Sequence, residues 1–92
     1  MKIRWSQEAI DDLISLRAYI AAHDPSAAKR LAALIAHSVE KLAEFPSLGR
    51  AGRIPHSREL IVPNTSYVVI YHVSDETVRI DTVFHSARKW PD

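Results

Sequence analysis

Polar and apolar positions alternate at the start of the chain, Lys2 and Arg4 on one side and Ile3 and Trp5 on the other, the period of a short strand with one buried face. The period then lengthens. Ala9, Leu13, Leu16 and Ile20 recur at spacings of three and four, with Ile10 and Ile14 widening the stripe, and predict a helix from about Gln7 to His23. Ser6 stands before it as an N-cap, and Glu8, Asp11 and Asp12 lie near the positive end of its dipole. Asp24-Pro25-Ser26 ends this helix and opens another: Asp24 caps, and Pro25 fits a first turn where its missing N–H is not needed. Leu31, Ile35, Val39 and Leu42, joined by Leu34, form the second stripe, closed by Phe45-Pro46. Helices joined by so short a connection pack antiparallel as a hairpin.

Beyond residue 57 the period falls to two. Arg58 to Val62 predicts a strand ended by Pro63-Asn64-Thr65, and Tyr67 to Val73 is apolar at nearly every position, as in a central strand buried on both faces. Ser74-Asp75-Glu76 is a hairpin turn. A last strand follows, Val78, Ile80, Thr82 and Phe84 facing one side and Arg79, Asp81, Val83 and His85 the other. The expected fold is α+β, in the order β-α-α-β-β-β: an N-terminal strand, an antiparallel helical hairpin, then a three-stranded antiparallel meander, all strands in one sheet with the hairpin on one face. Residues 1–92 form a single domain.

Composition narrows the class. The apolar share is 47% and the charged share 25%, ordinary for a globular fold, and the absence of cysteine rules out disulfides and thiolate metal sites. No leader and no membrane-length apolar run is visible, so a cytoplasmic protein is expected. Net charge is only +1, yet residues 6–45 are net acidic, so the positive excess lies in Lys2, Arg4, the Phe45–Arg58 stretch and the Arg88-Lys89 tail.

That stretch, FPSLGRAGRIPHSR, carries Arg50, Arg53, His56 and Arg58 with two glycines, two prolines and no acid. Guanidinium forks clamp phosphates and carboxylates, so Arg50, Arg53 and Arg58 are candidate contacts to an anionic partner; the alternative is pairing with Glu44, Glu59 or Asp81. The two glycines suggest backbone freedom. His85, at the end of the last strand with Arg88 and Lys89 just beyond, is a candidate general acid or base, or a half-exposed residue capping the sheet. Trp5 and Trp90 are read as pins for the chain ends, and His72 as a packed, hydrogen-bonded strand residue. No HExxH, P-loop, GxGxxG or CxxC occurs, so no metal or cofactor is expected.

Trp5-x-x-x-Ala9-x-x-Asp12-Leu13, Phe45-Pro46-x-x-Gly49-Arg50-x-Gly52-Arg53, Ser57-Arg58-Glu59-Leu60, Tyr67-Val68-Val69-Ile70-Tyr71 and the His85 to Pro91 close occur in this order over nearly the whole chain. The set resembles toxins of the RelE/ParE superfamily from bacterial type II toxin–antitoxin systems, including plasmid stabilisation modules. The resemblance implies a small toxin held inactive by a cognate antitoxin of the ParD or RelB kind. RelE-like members cut messenger RNA on the ribosome, and the resemblance would then give His85, Arg58, Arg53 and Arg88 the catalytic roles. Ser86 stands where many of those nucleases have a tyrosine, and the long hairpin and near-neutral charge favour the ParE-like kind. That implies a binding protein that poisons DNA gyrase, not an enzyme, with Arg50, Arg53, Arg58, His85, Arg88 and Lys89 contacting target or antitoxin. A relative that binds its antitoxin but has lost toxicity is a further alternative.

Overall fold

In the computed structural model, which describes residues 1–87, the chain forms β1 (Lys2–Trp5), α1 (Gln7–Ala21), α2 (Pro25–Glu40), a 3-10 turn (Lys41–Ala43), β2 (Arg50–Ala51), β3 (Ser57–Ile61), β4 (Tyr67–Ser74) and β5 (Thr77–His85). The helices begin where their caps predict. Ser6 Oγ accepts from Ala9 N at 3.0 Å, Asp24 Oδ1 accepts from Ala27 N at 3.0 Å, and Pro25 fills the first turn of α2. Among the described residues no helix is long and apolar enough to cross a membrane.

The strands make one sheet in the order β1-β5-β4-β3-β2. Two features differ from the expected meander. Arg50 and Ala51 add a two-residue strand against Glu59 and Arg58, and β1 lies parallel to β5, so the sheet is mixed. Parallel neighbours need a long crossover, and here nearly the whole chain supplies it. One face packs against the hairpin. Ala9 and Leu16 of α1, Ile35 and Val39 of α2, and Leu42 close on Leu60, Val62, Val69, Tyr71, Val78 and Ile80. Each fully buried aliphatic contributes about 1.5–3 kcal/mol.

The alternation in β5 does not run straight through. Tyr71 lies opposite Ile80 but Ile70 lies opposite Thr82, so Asp81 is an extra residue in the strand. A bulge of this kind sends every later side chain to the other face. Val83 therefore joins Val78 and Ile80 in the core, opposite Val69. His85, expected on the polar face, instead shares the helix-covered face opposite Tyr67. Periodicity alone carries no sign of the insertion.

α1 holds the bulge. Ser6 donates from Oγ to Asp81 O at 2.9 Å and from N to Ile80 O at 2.9 Å. Asp12 accepts from Thr82 Oγ1 at 2.6 Å and from Val83 N at 3.0 Å, just past the last residue that β1 pairs. The acid near the start of α1 thus ties the helix to the strand that carries His85.

Candidate functional site

The loop from Phe45 to Arg58 is wired to the sheet by two buried side chains. Tyr71 on β4 donates its hydroxyl to Pro46 O at 2.7 Å and accepts from Gly49 N at 2.8 Å. Glu59 on β3, its side chain 2% exposed, takes Arg50 Nη2 on one oxygen at 3.1 Å and Arg53 N on the other at 3.0 Å. Arg58 donates from Nη1 to Gly49 O at 2.8 Å, and Ser57 donates from Oγ and from N to Ile54 O. A buried carboxylate needs such donors, because removal from water disfavours its charge.

The glycines are not hinges. Neither has a positive φ; both are places where a side chain has no room. A Cβ at Gly49 would meet Tyr71 Cε1 and its hydroxyl at 2.8 Å and Glu59 O at 2.9 Å, and one at Gly52 would meet Ser57 Oγ at 2.1 Å. The loop residue with positive φ is His56, at 66°. The two glycines thus serve close packing rather than a left-handed turn, and the side-chain ties hold the loop's cations in the arrangement seen.

Of the sequence candidates, Arg50 is paired with Glu59 yet keeps more than half its side chain exposed, at 57%. Arg53 is exposed, with its main chain tied to Glu59. Arg58 is half-buried, and its guanidinium braces the loop from within. Phe45, Leu48 and Ile54 stand exposed beside them, so the corner is apolar as well as cationic. Arg88 and Lys89, with Trp90 and Pro91, lie outside the described residues.

His85 sits apart from that loop, in a cavity of about 380 Å³ lined by Asp12, Ser15, Tyr19, Tyr67, Thr82 and others. Its ring meets Tyr67 edge-on, centroids 5.1 Å apart, and its Nδ1 accepts from Ala87 N at 3.1 Å. Ala87 N–H can only donate, so Nδ1 is unprotonated and the ring proton sits on Nε2. Ser86 is no tyrosine, but the fold brings a tyrosine to His85 from a neighbouring strand.

One cluster escapes the sequence reading. His72 Nδ1 contacts Asp81 Oδ2, while Asp81 Oδ1 takes Arg79 Nε at 2.7 Å. Two polar side chains interrupting apolar strands were the available signal: His72 pairs with Arg79, and Asp81 lies two residues further along β5. Among the described residues no group of three or more potential metal ligands comes together.

Burial raises the Tyr71 hydroxyl above its ordinary pKa of 10.0, against the opposing pull of Gly49 N–H and the Arg58 charge. The folded chain holds this proton more tightly than the unfolded one. The Tyr71 contribution is therefore complete below pH 10.0 and is lost as pH climbs past it toward the folded value. The stability gap between wild type and Tyr71→Phe should narrow from about pH 9 to about pH 11 in urea melts, and a gap constant over that range would refute the linkage.

A family description, "ParE toxin of type II toxin-antitoxin system, parDE", matches residues 3–90. Y4kP of Sinorhizobium fredii, named as a candidate toxin, is 42% identical over 90 residues, covering 98% of this chain and 93% of that one. Toxin RelE2 of Caulobacter vibrioides is 34% identical over 87 residues, covering 95% and 97%. Among solved structures, one from a chromosomal ParDE system of P. aeruginosa superposes with a TM-score of 0.84 at 19% identity over 92% of this chain and 95% of that one. YafQ of E. coli gives 0.50 at 19% identity over 94% and 93%. At such identities these two speak for the fold alone. With the family match spanning almost the full length, and the sheet-and-hairpin fold to go with it, the chain belongs to the ParE toxin family, within the RelE/ParE superfamily of type II toxin–antitoxin toxins.

Proposed function

We propose that this toxin is ParE-like in action: a cytoplasmic binding protein that arrests growth by trapping DNA gyrase, silenced by a ParD-like antitoxin. The match to the ParE family over residues 3–90 is the observation that supports it. The geometry adds a physical reason. A loop tied to the sheet by Tyr71 and Glu59 presents Arg50 and Arg53 beside exposed Phe45, Leu48 and Ile54, a surface suited to an acidic, partly apolar counterpart, with part of the ordering cost of binding already met. Ile10, Ile14 and Leu34 remain exposed on the hairpin, where an amphipathic antitoxin segment would bury them.

Purified protein should inhibit gyrase supercoiling at micromolar concentration, and added antitoxin should restore it. Supercoiling that is untouched at that concentration sinks the proposal. The second reading, a ribosome-dependent endoribonuclease without cofactor, has one observation in its favour, the Tyr67–His85 pair in its cavity. New transcript ends inside translated codons after induction, lost in His85→Ala, would establish it instead. Overexpression without growth arrest would point to a relative that only binds its antitoxin.

A further inference from the structure

His72 sits on β4 between Ser57 of β3 and Arg79 of β5. Its neighbour Tyr71 faces the core, so His72 faces away from the helices. The ring meets an oxygen at each nitrogen. Nδ1 contacts Asp81 Oδ2, and Nε2 lies 3.4 Å from the carbonyl oxygen of Pro55 in the arginine loop. Neither oxygen has a proton to give: Asp81 is the carboxylate that also holds Arg79 Nε–H, and Pro55 offers an amide carbonyl. A neutral imidazole has one N–H and one lone pair, so it satisfies one of these oxygens and turns a lone pair on the other. The imidazolium donates to both.

We infer that His72 is a proton-dependent latch, whose charged ring ties the Ile54–His56 tip of the arginine loop to the Asp81 bulge and so positions the loop's cationic surface. The Pro55 arm is the one that yields. At 3.4 Å it is longer than the usual hydrogen bond, while the Asp81 arm joins opposite charges. When the proton leaves, Nδ1–H stays on Asp81, and the Nε2 lone pair confronts the Pro55 oxygen. The tip then keeps its other ties, among them Ser57 to Ile54, Gly52 N to Ser57 O and Arg53 N to Glu59, without the bond from the ring. The closed form binds one proton more than the open form, so acid closes the latch and rising pH opens it. Around the ring stand Arg79 and Asp81 of β5, Arg4 of β1 and Asp75 of the following turn, with Arg53 and His56 exposed on the loop. Asp81 is the carboxylate in contact with the ring.

The latch matters to toxicity only if the loop grips a partner as proposed, but it can be tested without that. The experiment is an NMR titration of the full chain over roughly pH 5 to 8, the range in which histidine ordinarily changes charge. At the acid end both His72 ring nitrogens should carry protons. Corrected for intrinsic exchange, the Arg53 and Ser57 amides should be about tenfold better protected there than at the basic end, as befits a charge-assisted hydrogen bond, with the midpoint of the ring. In His72→Gln that dependence should vanish, while His23→Gln, at the end of α1, should leave it in place. A ring bearing a single proton while the tip is protected, or tip protection indifferent to the titration, overturns the latch. If His72→Gln fails to fold, the wild-type titration decides alone. A His72→Gln chain with a loosened tip and undiminished growth arrest would uphold the latch and remove the loop from the gripping surface.

Discussion

Arg50→Ala is expected to lower stability by about 3 kcal/mol, the low end of what an uncompensated buried charge costs. The reason is an asymmetry within one ion pair. Glu59 has a side chain 2% exposed and Arg50 one that is 57% exposed. Without Arg50, the carboxylate stays buried, keeping the Arg53 N–H but losing the guanidinium that neutralises it. Without Glu59, the guanidinium swings into water, and Glu59→Ala should cost only about 1.5 kcal/mol, the loss of hydrogen bonds to a charged group. Adding Glu59→Gln to Arg50→Ala should restore part of the loss by removing the stranded charge. Urea denaturation of the four proteins measures this, and an Arg50→Ala chain no less stable than Glu59→Ala would contradict it. A toxicity screen meets the same asymmetry. Arrest lost in Arg50→Ala reports a damaged loop, whereas Arg50→Lys keeps a cation for Glu59 and tests the contact itself.

Gly49→Ala should lose about 1–3 kcal/mol, the range for forcing extra atoms into a packed interior. The new methyl strikes Tyr71 Cε1, the Tyr71 hydroxyl and the main-chain oxygen of Glu59, all under 3.0 Å. Two of these atoms belong to a fully buried side chain and the third to the strand that carries the loop, so relief on one side worsens the other. The gain from a stiffer unfolded chain, about 0.4–1 kcal/mol, runs the other way and is smaller. Gly52→Ala has a nearer first contact, 2.1 Å, but with the Ser57 hydroxyl, which can rotate away. It should cost less than Gly49→Ala in thermal melts, where 1 kcal/mol moves Tm by roughly 4–8 °C for a chain of this size. The reverse order would mean that the Tyr71 hydrogen bonds do not set the shape of the loop.

The helices, their caps at Ser6 and Asp24, the central strand and the Asp75 turn are all legible in the sequence, because each rests on residues within a few positions of one another. What stays hidden depends on distant partners. Nothing in Lys2–Trp5 announces a parallel neighbour at Thr77–Ile80, and nothing in Val78–His85 marks Asp81 as the extra residue that turns His85 toward the helices. Glu59 and Asp81 are both visible as possible partners for arginine. Glu59 does take Arg50, but Asp81 takes Arg79 and His72. Two glycines in a basic loop read equally well as hinges or as points of close approach, and only the position of Tyr71 and Ser57 tells them apart.

The parallel seam between β1 and β5 also bears on how the chain folds. β1 finds its partner in β5, across nearly the whole of the described chain, so the sheet cannot close until β5 has been made. An unfinished chain lacks the β5 bulge to which Ser6 and Asp12 are bonded. A chain that stops before β5 therefore lacks the seam that ties β1 into the sheet.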